Sequence, residues 1–398
     1  MDFSIDDRTQ ELVARYRDFI DERLLPLEPI FLQQGVVPLE AALAEVREEA
    51  RKRGLWGPNY PVEEGGQGLD LVTHGLVSEV LGRSPLGHYS VGVNAPDAGN
   101  AELMHLHGSP KQREEWMSPL MRGDIRTCFG MTERDNSGAN PLMMETRATL
   151  EKDQWVINGS KWFTTGADGA ALCIVMAVTD PEAPPHKRAS LLLVPANTPG
   201  YVVERKTPIM GHEGHGLFSH AEIAFRDCKV PADSLLGERG GGFALAQARL
   251  GPGRIHHCMR WLGICQRALE MMMERANQRA ITPDGRPLGD SDLIRSWVAE
   301  CAAEIQAARL LVLHTAWRIV RAGARAARND VSMIKYYVAD VLQRVLDRAL
   351  QVHGGLGMTD YTVLAFYYRE ERAARIYDGP DEVHKLSVAR RLLSGREG

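Results

Sequence analysis

The sequence predicts an α+β fold in three consecutive parts: an all-α N-terminal domain over residues 1–126, a small β domain over 127–235 and a C-terminal four-helix bundle over 236–398. Three observations carry this. Apolar residues recur at helical spacing up to about residue 125, short apolar or alternating runs replace them from about Cys128 to Val230, and helical spacing then returns. At 398 residues the chain exceeds what one hydrophobic core usually holds, which favours several structural parts or one protomer of an assembly. With 44% hydrophobic and 25% charged residues it is neither collagen-like, coiled-coil nor disordered.

In the first part, Leu12, Val13, Tyr16, Phe19, Ile20 and Leu24 form a helical stripe, and Leu39 to Arg53 repeats the pattern until Gly54 stops it. In the second, the runs T-R-A-T-L from Thr146, Q-W-V-I-N from Gln154, A-L-C-I-V-M-A-V from Ala171, A-S-L-L-L-V from Ala189 and A-E-I-A-F from Ala221 read as strands. Asn158-Gly159 predicts a hairpin turn. In the third, helical spacing runs over about 243–281, 291–325, 330–353 and 359–394. The third of these segments has Asp330 as a candidate cap, a stripe of Ile334, Val338, Val341, Leu342, Val345 and Leu346, and Gly354 as its stop. Four successive amphipathic helices predict the bundle.

Lys plus Arg number 47 against 52 Asp plus Glu, a net charge of −5, so no global positive field exists to recruit nucleic acid or anionic lipid. Six cysteines without a C-x-x-C pair fit reduced thiols inside a cell. The start M-D-F-S-I-D-D-R has acids where a secretion signal needs basic and apolar residues, and no run nears the roughly 20 apolar residues of a membrane span. A cytoplasmic protein without a membrane span is expected.

Metal and hydrolase chemistry find little support. His212 and His215 flank Glu213 in a glycine-rich loop without the H-E-x-x-H helix spacing, so no metal is expected. His256 and His257 are adjacent, face different directions on a helix and read as packed or capped side chains. No G-x-S-x-G elbow is present, and neither G-E-R-G-G-G nor H-G-G-L-G has the register of a dinucleotide-binding loop. Asp378 stands out. Flanked by Ile376, Tyr377, Gly379 and Pro380, it reads either as a buried acid of raised pKa or as the N-cap of the final helix.

The segments C-F-G-M-T-E (Cys128 to Glu133), I-N-G-S-K-W-F-T-T (Ile157 to Thr165), Q-V-H-G-G-L-G (Gln351 to Gly357) and I-Y-D-G-P-D-E-V-H-K (Ile376 to Lys385) come in an order that resembles the flavin-dependent acyl-CoA dehydrogenases. N-A-P-D-A-G-N from Asn94, A-R-L-G-P-G-R-I-H-H-C-M-R from Ala248 and D-G-P-D-E-V-H from Asp378 are similar to the branch related to vertebrate acyl-CoA dehydrogenase family members 10 and 11. The resemblance covers essentially the whole chain. It implies that the middle domain is a small β-barrel or sandwich and that noncovalent FAD lies between it and the bundle. It further implies α,β-dehydrogenation of an acyl-CoA thioester, as in fatty acid β-oxidation. An electron-transfer flavoprotein as partner and a homo-oligomer, tetramer or dimer, also follow from it.

Residue by residue, the resemblance makes Asp378 the base for the α-proton, where most of the family has Glu. The backbone N–H of Asp378, with a flavin hydroxyl, would bind the thioester carbonyl. Phe129, Met131 and Thr132 would line the flavin, and Phe163, Thr164 and Thr165 replace the usual Trp-Ile-Thr beside its ring. Arg279 and the loop Gln351, His353, Gly354 and Gly355 would reach the cofactor of a neighbouring subunit, and Pro380 and Glu382 would complete the cofactor site. Ser137 or Gly138, Arg254 and Gly379 would bind substrate; Gly253, not being acidic, excludes the alternative base position used by some members. Two departures stand out: Arg134 to Gly138 replaces the usual loop after Thr-Glu, and R-A-I-T-P-D-G from Arg279 lacks the family's Phe. Two other readings stay open: an oxidase or monooxygenase on the same fold, since nitroalkane oxidases also use an Asp base, and a flavin-binding scaffold without turnover.

Overall fold

The computed structural model describes residues 4–395. Its N-terminal part consists of helices α1 (Asp7–Arg23), α2 (Glu28–Gln34), α3 (Glu40–Lys52), α4 (Leu71–Leu81), α5 (Gly87–Ser90), α6 (Asp97–His107), α7 (Pro110–Gln112) and α8 (Ser118–Arg122). The side chain of Asp6 caps α1 by accepting from the Thr9 N–H at 2.9 Å. Tyr16, Phe19 and Ile20 then bury the stripe seen in the sequence.

Strands β1 (Thr127–Gly130), β2 (Arg147–Glu151), β3 (Gln154–Thr165), β4 (Leu172–Val178), β5 (Ala189–Pro195), β6 (Tyr201–Lys206), β7 (His220–Pro231) and β8 (Leu235–Leu236) pair into one mixed sheet. Its order is β6-β7-β3-β2-β4-β5-β8, with β1 parallel to β4. The halves meet at the parallel pair Arg147 with Val178, so the sheet folds over its own core. Cys173, Val175, Leu192 and Val194 face that core together with Trp155, Ile157, Ile223 and Phe225. Leu172, Ile174, Met176, Leu191 and Leu193 instead face the N-terminal helices. Two buried faces explain why β4 and β5 read as unbroken apolar runs.

The C-terminal part holds α9 (Gly242–Gln278), α10 (Asp292–Ala322), α11 (Arg328–His353), α12 (Val363–Glu371) and α13 (Asp381–Leu393) around one apolar cluster. All six cysteines are buried and unpaired, and among the described residues no helix is long and apolar enough to cross a membrane.

Four expectations need correction. Asn158-Gly159 is no hairpin: β3 runs through it with a bulge, and the chain turns at Lys152-Asp153 instead. Gly159 has φ 140°, and a Cβ there would lie 2.6 Å from Thr146 Oγ1, so a close approach rather than a turn requires the glycine. The segment 359–394 is not one helix. After α12 a 3₁₀ turn covers Arg372–Arg375, and left-handed Asp378 and Gly379 followed by Pro380 prevent continuation. Asp378 is not an N-cap, because α13 starts at Asp381 with Pro380 in that position. Nor does Asp330 cap α11; the N-cap is Ala327, and Asp330 pairs with Arg318 at 2.6 Å.

Helices α4 and α9 cross closely at two glycines. A Cβ on Gly263 would stand 1.8 Å from the Glu79 carbonyl oxygen, and one on Gly82 2.2 Å from that of Arg260. Gly263→Ala is therefore expected to cost about 1–3 kcal/mol by overpacking. Gly253→Ala, in the same helix with nothing within 4 Å of its Cβ, should gain up to about 1 kcal/mol from helix propensity. Thermal denaturation of both variants checks the opposite signs.

Candidate active site at the break between two helices

Asp378 occupies the turn before α13 with φ 55°, a left-handed conformation uncommon for a residue with a side chain. Its carbonyl oxygen accepts from Arg254 Nη2 at 3.0 Å, from Arg254 Nε at 3.3 Å and from His384 Nε2 at 3.0 Å. Gly379 follows at φ 95°, and a Cβ there would meet His384 Nε2 at 2.8 Å, so only glycine fits. Just beyond, buried Asp381 lies 3.2 Å from Lys335 Nζ and 2.7 Å from Arg375 Nε. Burial lowers the pKa of Lys335 while Asp381 opposes the fall. Glu382 is exposed in the first turn of α13, next to Pro380 at its N-cap.

The Asp378 carboxylate points toward α9. Its Oδ2 lies 3.3 Å from His257 Nε2, with both side chains about four-fifths buried. The His257 ring packs against Trp261 and Tyr377, at centroid distances of 6.1 and 5.3 Å. Arg260 Nη2 and Trp261 Nε1 each donate to Tyr377 Oη at 3.0 Å, and both also donate to buried Glu371. His256 turns away and stacks on His74 at 4.0 Å, where burial pushes it down to about 4. Of the adjacent histidines, the packed reading therefore describes His256, whereas His257 faces the acid. Arg254 lies three turns inside α9, which begins at Gly242.

Phe129 stands on β1 beneath the guanidinium of Arg249, whose carbon is 4.5 Å from the ring centroid. Helix α6 holds that strand: Asp97 Oδ1 accepts from the Thr127 N–H at 2.7 Å, and Asn100 Nδ2 donates to Thr127 Oγ1 at 2.9 Å. These two residues belong to the N-A-P-D-A-G-N segment. The unusual loop after Thr132 is held by Glu133, which accepts from the Thr146 N–H at 2.9 Å, the Glu145 N–H at 2.7 Å and Asn136 Nδ2 at 3.2 Å. Beneath it, fully buried Lys161 donates to Glu133 at 2.8 Å and to the Met131 carbonyl at 3.1 Å. Burial alone raises the Glu133 pKa, but Lys161 and the hydrogen bonds outweigh it and hold the carboxyl at about 2. Burial pushes Lys161 down to about 8 against the pull of Glu133. Ser137 and Gly138 thus face a small pocket with Met131, Thr132 and Met144.

On β3, Phe163 takes φ 51° at a second bulge and stands 40% exposed. Trp162 Nε1 and Thr164 Oγ1 beside it are buried without a partner among the described residues. The Thr165 hydroxyl is 2.8 Å from His220 Nδ1. An open aromatic face among unpartnered polar atoms fits a planar ligand with polar edges, such as a flavin ring. Elsewhere, Arg279 Nη1 lies 3.2 Å from where a Cβ on Gly354 would stand, and Gly355 has open space. Gln351 is exposed on α11, whereas His353 is buried with Nδ1 2.7 Å from the Ala349 carbonyl.

Sequence reasoning passed over Lys161, Lys335, Asp381, Arg375 and His257 as site residues. For one of these a signal existed: Lys335 shares a face of α11 with Val331, Val338 and Leu342. A lysine at such positions requires a buried carboxylate partner.

Family models for the acyl-CoA dehydrogenase N-terminal, middle and C-terminal domains match residues 6–124, 128–228 and 240–393. The Mycobacterium tuberculosis protein named "Probable acyl-CoA dehydrogenase FadE2" is 40% identical, covering 99% of this chain and 97% of that protein. Acyl-CoA dehydrogenase family member 10 of Mus musculus is 38% identical over 97% of this chain, which spans only 37% of that longer protein. Among solved structures, butyryl-CoA dehydrogenase from Megasphaera elsdenii superposes with a TM-score of 0.85 at 28% identity, covering 99% of this chain and 100% of that one.

The Glu133–Lys161 pair yields two expectations. Lys161→Met leaves a buried charge unpaired and should cost about 3–5 kcal/mol in denaturant unfolding. The folded pKa of Glu133 lies below its ordinary value of 4.5, so its stabilisation is complete above about 4.5 and is lost as pH falls toward 2. Glu133→Gln should flatten that part of the acid-denaturation curve, measured by far-UV circular dichroism.

Proposed function

Because this chain belongs to the acyl-CoA dehydrogenase family, flavin-dependent oxidoreductases with FAD as cofactor, we propose that it dehydrogenates an acyl-CoA thioester between its α and β carbons. The observation that carries this reading is the Asp378 turn: a carboxylate whose main chain is gripped by Arg254 and His384 and whose side chain faces His257. Asp378 takes the α-proton on a carboxylate oxygen. The Asp378 backbone N–H donates to the thioester carbonyl and stabilises the enolate that forms as the proton leaves. FAD, when bound, supplies the acceptor for the hydride leaving the β-carbon. Phe163 would give the ring a stacking face, and the Thr165 hydroxyl, with the backbone of Met131 and Thr132, would meet its polar edges, whereas Thr164 is buried beneath them. Phe129 lines the same wall. The pocket of Ser137 and Gly138 lies against Thr132 and holds the thioester end of the substrate.

Arg279 and the loop of Gln351, His353, Gly354 and Gly355 serve the cofactor of a second subunit. Helix α9 starts against β5, where a Cβ on Gly242 would lie 2.8 Å from the Ser190 carbonyl carbon, and it runs 37 residues before Arg279. At 1.5 Å per residue that is about 55 Å, which removes Arg279 from the β domain of its own chain. A homo-oligomer, dimer or tetramer, follows from this reading, with an electron-transfer flavoprotein as electron acceptor and a cytoplasmic place in fatty acid β-oxidation.

Purified protein should be yellow, and anaerobic addition of butyryl-, octanoyl- or palmitoyl-CoA should bleach the flavin; no bleaching by any of the three would sink the dehydrogenase. Rapid reoxidation by oxygen with peroxide release would move the assignment to an oxidase. Asp378→Asn should retain FAD and slow flavin reduction about 10²- to 10⁴-fold, the usual contribution of a general base. Arg279→Ala should lower the FAD content of purified protein, read from the ratio of flavin to protein absorbance.

A further inference from the structure

His257 is a buried histidine for which packing alone gives no reason. Its neighbour His256 satisfies the apolar side of α9 by stacking on His74. His257 projects one position further round the helix and meets the single carboxylate on which the proposed chemistry turns. The ring is not free to choose another partner. Trp261, one turn along the same helix, lies near-parallel to it at an interplanar angle of 27°, and Tyr377 packs against both rings. Both aromatics are anchored in turn, since Trp261 Nε1 and Arg260 Nη2 converge on Tyr377 Oη and on Glu371.

On the reading that Asp378 is the base, we propose that His257 is a positioning residue for it: its Nε2, 3.3 Å from Oδ2, holds that oxygen and leaves Oδ1 to receive the α-proton. The proton belongs on Nε2 because a lone pair there would face the carboxylate lone pairs at 3.3 Å and repel them. The charged and titratable groups bearing on the ring are Asp378 and Glu371, which favour its cation, and Arg260 and Arg249, which oppose it; His256 and His88 are its imidazole neighbours. Burial is the largest influence and keeps the pKa of His257 below its ordinary value of 6.5. At neutral pH the ring is therefore an uncharged donor. A donor to the ionised form of a carboxylate favours that form. His257 thereby fixes one of the two Asp378 oxygens away from the substrate.

The test is the pH dependence of anaerobic flavin reduction, followed by stopped flow with whichever of butyryl-, octanoyl- and palmitoyl-CoA reduces wild type fastest. Loss of the donor in His257→Leu should raise the apparent pKa governing reduction by about one pH unit, slow the reaction several-fold on the acid side of that pKa, and leave the alkaline plateau within about threefold of wild type. His257→Gln, which restores an N–H at similar reach, should bring the pKa back toward wild type. His257→Asn, too short to reach Oδ2, should behave like Leu and covers the case in which Leu does not retain FAD. An unmoved pKa in flavin-loaded His257→Leu or His257→Asn, or an equal loss of rate at every pH, would overturn the positioning role. Failure of the underlying reading looks different: flavin reduction would survive in Asp378→Asn, whatever the His257 variants do.

Discussion

The structure depends on one constraint: α9 has to be buried along most of its 37 residues while carrying a row of arginines. It packs on α4 and α6, on β5, and on α10 and α11. Buried guanidinium groups are costly without partners, and Arg260 and Arg267 each find a carboxylate on another element. Arg260 meets Glu371, Arg267 meets Glu28 at 2.6 Å, and Arg83 of the N-terminal part reaches back to Glu270 at 2.6 Å. Such pairs add little net stability against an apolar alternative, but a one-residue slip of α9 would leave every one of them unpaired. They therefore define the register of the helix. Arg254 and His257 project from the same stretch, so the register that satisfies the ion pairs also delivers two side chains to Asp378.

The turn that carries Asp378 is the second dependent feature. Two successive left-handed residues, one of them not glycine, cost on the order of 1–3 kcal/mol. Arg254 and His384 secure the near end through the Asp378 carbonyl, and Lys335 and Arg375 secure the far end through Asp381. Such a conformation persists only where the surroundings over-determine it. The outcome is a carboxylate presented at a break between helices, with its main chain already fully directed. On the proposed reading, little reorganisation is then needed when a substrate arrives, which is the condition under which a base one methylene shorter than glutamate can be placed accurately.

Much of the fold was legible because its signals are local. The stripe of α11 and the apolar runs of β4 and β5 each report burial of one element, and burial of one element is written in its own spacing. Asp378 was legible through its motif. The failures share a different physics. Helical spacing continues on both sides of residues 376–380, so the break there, produced by two left-handed residues and a proline, leaves the period almost undisturbed. Asn158-Gly159 carries turn residues, yet the glycine answers a close contact with Thr146, thirteen residues earlier. The grip of Arg254 on Asp378 joins positions 124 apart, and that of Lys335 on Asp381 positions 46 apart. Pairings of that kind depend on how helices cross, which no window of sequence contains.

Charge shows how local arrangement overrides composition. With a net charge of −5, the chain as a whole repels anionic ligands weakly at long range. Within the site the balance is reversed, because Arg249 and Arg254 sit on α9 close to Asp378 while their own charge is only partly spent. Arg254 donates to a neutral carbonyl, and Arg249 Nε is buried without a hydrogen-bond partner among the described residues. Burial lowers the pKa of both, with Asp378 the largest opposing influence on each. The Asp378 carboxylate thus lies among two cations at some distance and an imidazole at 3.3 Å. On the proposed reading, a carboxylate that takes up the α-proton releases the two cations from their counter-charge as negative charge grows on the thioester, and the arginines are then placed to stabilise that new charge.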